Sequence, residues 1–226
     1  GIVDKETQAK IESILSSPFR NGKRHKYTIK IKQNLEFLGF PISKNPTDLY
    51  GSKTEKVVKQ FQKYYGLVSN GIVDDPTLDK IKKIVNSPLQ QGKKHKDTIK
   101  LKENLAKVGF PVSNNPTELY GSKTKRIVKD FQKYYGLVPN GIADSVTLNK
   151  IDEILNSPFQ KGKRHKDVIK LKEDLNKLGF FISSNPTSLY GSKTERVVRD
   201  FQLQIGLVVN GIVDSVTQNK IKNFDF

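Results

Sequence analysis

One segment of this chain occurs three times, and each copy begins 70 residues after the previous one. The copies start with the letters LYGSKT at Leu49, Leu119 and Leu189, and the residues that follow stay in register. A strict period of this length indicates tandem structural units, and 70 residues are enough to close a small hydrophobic core. We therefore expect three small domains, each with its own copy of any function. The predicted domains are residues 16–85, 86–155 and 156–226.

The first fifteen residues repeat part of the same pattern. Their sequence, GIVDKETQAKIESIL, matches the stretches that begin at Gly71 and Gly141, which lead into the last helix of a domain. Residues 1–15 are therefore predicted to be the last helix of a truncated preceding repeat. The sequence is accordingly interpreted as a fragment of a longer array.

Helical periodicity recurs in every repeat, and no strand pattern of any length accompanies it. The first helix of the third repeat places Val168, Leu171 and Leu175 on one face. A second helix is predicted from about residue 52 to residue 65, and a third follows Asp74, which suits the N-cap position. The sequence thus predicts an all-α chain of three tandem three-helix modules.

The chain is strongly basic, and its charge is spread over the repeats. Lysine and arginine number 40 against 23 acidic residues, which gives a net charge of +17. The densest positive charge lies in the connector that opens each repeat, where it suits either a polyanion contact or a merely solvated linker. The apolar residue of this connector, Phe159 in the third repeat, is predicted to pack on a neighbouring module. The predicted polyanion contacts are Lys23, Arg24, His25, Lys26, Lys93, Lys94, His95, Lys96, Lys163, Arg164, His165 and Lys166.

Composition argues against catalysis and against a metal site. Each repeat has a single histidine set between basic residues, and the chain has no cysteine. No nucleophile with a base and no cluster of metal ligands is evident, so we predict no catalytic residue, no metal and no cofactor. We also predict no membrane span, because no apolar run is long enough to cross a bilayer.

The charge and the repeats fit two classes of non-catalytic function. Lysine and arginine interleaved with tyrosine are typical of nucleic-acid-binding proteins. No predicted helix concentrates its basic residues on one face, however, so nucleic acid is disfavoured as a partner. A spacer that holds a neighbouring domain away from a surface also fits a repeat architecture.

The stretch FQKYYGLVSNGIVDDPTLDKI follows an LYGSKT turn and an earlier helix that ends in LGF. Together these motifs resemble the peptidoglycan-binding domain of bacterial cell-wall hydrolases, over all of each repeat except the basic connector. The resemblance implies a non-catalytic, monomeric and secreted protein whose several modules anchor or target a parent protein to the Gram-positive cell wall. Glycan, stem peptide and teichoic acid stay open as the ligand.

The chain departs from the family pattern in three places, and the first is a loop before Tyr50 that is longer than usual. Asp74 and Asp75 stand where the family usually has glycine, often followed by proline. The third repeat has Gln204 and Ile205 in place of the tyrosine pair that the other two repeats carry.

A shallow groove beside the second helix is the predicted ligand site, because aromatic faces stack on sugar rings and amides bond hydroxyl and N-acetyl groups. The sequence favours a core role for the tyrosine of the LYGSKT turn, since the family carries a buried aromatic residue there. The predicted groove residues are Tyr50, Gln62, Tyr65, Asn70, Tyr120, Gln132, Tyr135, Asn140, Tyr190, Gln202 and Asn210.

Overall fold

The computed structural model describes residues 4–224. Contacts within the chain divide it into two compact units. The first unit comprises the chain up to Gln90 together with Val138–Asp144. The second comprises Gln91–Leu137 together with the chain from Ser145 onward. The compact units therefore do not coincide with the sequence repeats, because one segment of the second repeat belongs to the first unit.

Ten helices occur within residues 4–224, and the prediction of an all-α fold is confirmed. Over the same residues no strand forms. One isolated backbone bridge in each repeat joins the basic connector to the loop before the second helix. The first unit contains α1 (Lys5–Ser16), α2 (Tyr27–Phe37), α3 (Ser52–Tyr64) and α4 (Asp75–Val85). The second unit contains α5 (Asp97–Lys107), α6 (Ser122–Tyr134), α7 (Ser145–Leu155), α8 (Asp167–Lys177), α9 (Ser192–Gln204) and α10 (Ser215–Lys222).

The second helix of each repeat carries a fully buried phenylalanine. In the first repeat α3 follows Gly51 and fully buries Val58 and Phe61 on its apolar face. The helix gives way to Gly66, whose φ of +69° lies in the left-handed region that glycine adopts without a steric penalty. The same pattern recurs in α6 and α9.

The third helix begins at an aspartate cap, as the sequence predicts. The Asp74 carboxylate accepts a hydrogen bond from the backbone N–H of Thr77 at 3.1 Å, which satisfies a donor that the first helical turn leaves unpaired. Asp214 makes the same bond to Thr217 at 2.8 Å. Helix α4 then buries Ile81, so its start and its packing face are both encoded locally.

A histidine lies two residues before the first helix of each repeat. Nδ1 of His25 accepts the backbone N–H of Tyr27 at 3.1 Å, and the ring of Phe19 meets the imidazole edge-on with centroids 5.1 Å apart. His95 and His165 make the same backbone bond in the other repeats. These histidines therefore have a structural role at the helix start, in addition to the polyanion contact predicted for them.

The core of the third repeat draws residues from all three of its helices. Phe159 packs against this core, and its carbonyl accepts the N–H of Val213 at 3.0 Å. The prediction that Phe159 packs on a neighbouring module is therefore wrong, because this backbone bond ties the connector to its own repeat. The buried core residues are Val168, Leu171, Leu175, Ile182, Tyr190, Val197, Val198, Phe201, Val213 and Ile221.

Two buried threonine hydroxyls, those of Thr28 and Thr98, find no hydrogen-bond partner within the described chain. The third repeat has Val168 at this position. We expect T28V and T98V each to raise the free energy of unfolding by roughly 1 kcal/mol, because an unpaired buried hydroxyl is costly. Urea denaturation measures the effect. V168T is the matched control and should destabilise by a similar amount; a loss of stability in T28V would contradict the prediction.

Candidate functional site

The glutamine of the second helix lies at the centre of each repeat and is fully buried. In the first repeat, Nε2 of Gln62 donates to Asn70 Oδ1 at 2.8 Å, to the carbonyl of Ile72 at 2.8 Å and to Thr77 Oγ1 at 3.0 Å. Its Oε1 accepts the backbone N–H of Gly71 at 2.8 Å. The amide is thus committed to the turn between the second and third helices. It presents no polar atom to a ligand.

The tyrosine of the LYGSKT turn is also a core residue. The side chains of Tyr50, Tyr120 and Tyr190 have no exposed surface. The Tyr50 hydroxyl donates to the carbonyl of Gly71 at 2.7 Å, and burial raises the pKa of this phenol above its ordinary value. The core role that the sequence favours for these tyrosines is confirmed.

The paired tyrosines at the end of the second helix contact a segment of the next repeat. In the first unit, the Tyr65 hydroxyl donates to the Asp144 carboxylate at 2.7 Å, and the Tyr64 hydroxyl accepts the backbone N–H of Val138 at 3.1 Å. Nδ2 of Asn140 donates to the carbonyl of Leu38 at 3.2 Å. We call this arrangement the clasp, formed by the docking segment Val138–Asp144 and a receiving face of Leu38–Phe40 with the two tyrosines.

Close packing accompanies these bonds. A Cβ built on Gly39, in the LGF turn, would lie 2.5 Å from Cγ1 of Val138, so only glycine allows the docking segment to approach this turn. Phe40 stacks edge-on against Tyr64 with centroids 5.6 Å apart. The clasp therefore combines aromatic burial with three hydrogen bonds.

The second unit contains the same clasp, with the docking segment Val208–Asp214. The Tyr135 hydroxyl donates to the Asp214 carboxylate at 2.6 Å, and the Tyr134 hydroxyl accepts the N–H of Val208 at 3.2 Å. Nδ2 of Asn210 donates to the carbonyl of Val108 at 3.1 Å. The contact thus recurs in each unit with equivalent residues.

The ligand groove stays a prediction, and core packing or the clasp buries most of the residues proposed for it. The half-buried Asn70 and Tyr135 are each hydrogen-bonded within the protein. A ligand role for these two stays a prediction. The buried residues are Tyr50, Gln62, Tyr65, Tyr120, Gln132, Asn140, Tyr190, Gln202 and Asn210.

The basic connectors, in contrast, face solvent on a fixed backbone. The N–H of Gly22 donates to the carbonyl of Tyr50 at 2.8 Å, and the N–H of Tyr50 donates to the carbonyl of Lys23 at 2.8 Å. Equivalent bonds at 2.8 to 2.9 Å hold the other two connectors. The lysines and arginines of the predicted polyanion contacts are exposed, and the histidines are half-buried.

One buried lysine in each repeat holds the loop that faces the connector. Nζ of Lys32 donates to the carbonyls of Thr47 at 3.0 Å and Leu49 at 2.7 Å. Loss of hydration on burial lowers the pKa of this ammonium group from its ordinary value. Lys102 and Lys172 bond the equivalent carbonyls, so part of the positive charge serves structure.

No group of three or more histidine, cysteine, aspartate or glutamate side chains that could hold a metal ion occurs among residues 4–224. None of the helices in this part of the chain is long and apolar enough to cross a membrane. The fold and the charged surface together define a tandem array of small three-helix modules with cationic connectors.

The sequence model of the family described as "Putative peptidoglycan binding domain" matches residues 24–81, 94–151 and 164–221. These stretches cover more than half of the chain, so the chain belongs to this family of peptidoglycan-binding domains. The resemblance observed in the sequence is thereby confirmed. A search of curated proteins gave no match.

The clasp was missed by the sequence reasoning, although one signal for it was present. The tyrosine pair and the NG turn that it contacts are 74 to 79 residues apart, which exceeds the repeat length. The third repeat has Gln204 and Ile205 in place of the pair. It is also the repeat whose receiving face carries no docking segment among residues 4–224.

Alkaline pH should destabilise the fold. Burial raises the pKa of Tyr64 to about 12 and raises that of Tyr65 and Tyr135 further. The pKa of each tyrosine is higher in the folded state than its value of about 10 in the unfolded state, so folding favours the neutral phenol. The stability that this difference contributes is complete below pH 10. It is lost as pH rises above 10, by about 1.4 kcal/mol per pH unit for each such tyrosine. Urea midpoints measured from pH 9 to pH 11.5 test this, and Y65F should reduce the slope. A midpoint that stays constant across this range would contradict it.

Proposed function

We propose that this chain is a non-catalytic, multivalent region that anchors or targets a secreted parent protein to the peptidoglycan wall of Gram-positive bacteria. The match of all three repeats to the peptidoglycan-binding family carries this proposal. The exposed connectors support a particular contact surface. Each offers three exposed cations on a backbone held by hydrogen bonds, and these cations lie outside the core and the clasp.

The chemistry of the connectors suits an anionic polymer. Lysine supplies a compact point charge, and a guanidinium such as that of Arg164 can bind a carboxylate or phosphate through two parallel hydrogen bonds. The guanidinium of Arg24 already pairs with the Asp48 carboxylate. Peptidoglycan stem peptides carry carboxylates, and teichoic acid carries phosphates. Interactions of exposed charges are screened by salt over about 8 Å at physiological ionic strength, so binding through this surface should weaken as salt is added.

Repetition compensates for the small surface of each module. A single connector offers a contact typical of weak, transient association. Peptidoglycan is itself a polymer of repeating units, so a second module can bind from within the same chain at an effective concentration on the order of millimolar. Engagement of two modules together should raise wall affinity by roughly 100-fold or more.

The experiment is sedimentation of the chain with purified walls. One variant replaces six exposed connector lysines with glutamine, and a control variant replaces six exposed cations at the start of the second helix. Both lower the net charge from +17 to +11, so location alone distinguishes them. The connector positions are Lys23, Lys26, Lys93, Lys96, Lys163 and Lys166, and the control positions are Lys53, Lys56, Lys123, Arg126, Lys193 and Arg196.

We expect the connector variant to lose at least about tenfold in wall affinity relative to the control variant, given the loss of multivalent contacts. Equal loss in both variants would show a non-specific charge effect and contradict the proposed surface. Walls stripped of teichoic acid identify the ligand: retention favours glycan or stem peptide, and loss favours teichoic acid. Selective binding to DNA at physiological salt, with none to walls, would overturn the proposed function.

Neutralising one connector at a time tests valency within the intact chain. Replacing the two lysines of a single connector with glutamine should weaken wall binding modestly. Replacing the lysines of all three connectors should reduce the binding free energy by more than the sum of the three single changes, because the modules then lose the high effective concentration of one another's ligand. The three single variants serve as controls for one another. Strictly additive effects would mean that the modules bind independently.

A further inference from the structure

The first repeat contains a docking segment that the structure leaves open. Val68–Asp74 has the sequence VSNGIVD, in register with VPNGIAD and VVNGIVD of the two segments that sit in clasps. Val68 is 78% exposed and Ile72 is half-buried, whereas Ile142 in the first clasp is only 2% exposed. The segment thus has the sequence of a docking segment, but no receiving face covers it in the described part of the chain.

Helix α1 presents a second open surface in the same unit. Its residues Thr7, Ile11 and Ile14 are in register with Thr77, Ile81 and Ile84, which are all buried in α4. In α1 no residue is buried, and Ile11 is 45% exposed. The apolar face of α1 therefore has the pattern of a third helix without the first and second helices that would cover it.

We propose that Val68–Asp74 and the apolar face of α1 together form a docking edge for a further repeat of this same type. That repeat must carry the tyrosine pair and the LGF turn. Its first and second helices would cover Ile11 and Ile14, and its tyrosines would bond the Val68 N–H and the Asp74 carboxylate, as in the two clasps already described.

The chemistry of the open segment fits this occupant. Nδ2 of Asn70 now donates weakly to the Asp74 carboxylate at 3.3 Å, whereas Asn140 and Asn210 donate to a carbonyl of the receiving face. The oxygen that accepts this bond, Asp74 Oδ2, is equivalent to the Asp144 oxygen that accepts a tyrosine hydroxyl. Both side chains can therefore take up their clasp bonds while Asp74 Oδ1 continues to cap α4.

A second copy of this chain is a poor occupant of the edge. The receiving faces that carry tyrosine pairs, at Tyr64–Tyr65 and Tyr134–Tyr135, are already occupied by the chain's own docking segments. The remaining face has Gln204 and Ile205, and Phe224 packs on Phe201 there with centroids 5.9 Å apart. Isoleucine cannot donate a hydrogen bond to Asp74, so self-association would lack a central bond of the clasp.

The test extends the full chain by placing a copy of residues 16–70 directly before Gly1. The new junction, asparagine followed by glycine, reproduces the native sequence at Asn70 and Gly71, and the added repeat has α1 as its third helix. The control extension is identical except for Y64Q and Y65I in the added copy, the pair that the third repeat carries. Helical content measured by circular dichroism shows whether both extensions fold.

Hydrogen exchange of the amides in Val68–Asp74 is the readout. We expect exchange at Val68 to slow by at least about tenfold in the tyrosine extension, with a clearly smaller effect in the control, since clasped amides exchange only when the contact opens. Unchanged exchange in the folded tyrosine extension would overturn the proposal. Protection that appears in the unextended chain as its concentration rises would also overturn it, because the occupant would then be a second copy.

Discussion

The hydrogen-bond network of the buried glutamine is the interaction on which each repeat depends. A side-chain amide removed from water is costly unless all of its polar atoms are paired. Gln62 meets this requirement by bonding the NG turn and the cap threonine of the third helix, so a single side chain links the second helix, the turn and the third helix. The geometry of the docking segment follows from this network, because the same turn forms part of that segment.

The clasp shows how a small module can gain contacts beyond its own core. A unit of about 70 residues buries a modest fraction of its surface, so its stability is marginal. In the first unit, the first repeat covers its tyrosine pair with a segment of the second repeat. Aromatic residues that suit a sugar-binding surface are thus used for association between repeats.

This use of the tyrosines leaves charge as the main resource for binding. The connectors are held to the neighbouring loop by backbone hydrogen bonds, and a buried lysine holds that loop in turn. Their cations therefore project from an ordered scaffold, which reduces the entropy lost when a polymer binds. The buried glutamine amides are thus committed to the fold, whereas the lysines of the connectors are exposed.

Much of this architecture could be predicted from the sequence, because its determinants are local. The helix periods, the aspartate cap at Asp74 and the 70-residue register each depend on residues close together in the chain, and the family resemblance follows from the same motifs. The exposure of the connectors was also predictable, since their charge makes burial costly.

The roles of Tyr65 and Gln62 were decided only by the tertiary structure. An amphipathic helix end with two tyrosines has the same local pattern whether solvent, a ligand or a distant segment covers it. Asp144, which pairs with Tyr65, lies 79 residues away, and no local propensity reports a contact at that separation. The sequence by itself therefore determined the modules and their helices, whereas tertiary packing decided which polar and aromatic side chains were left for a ligand.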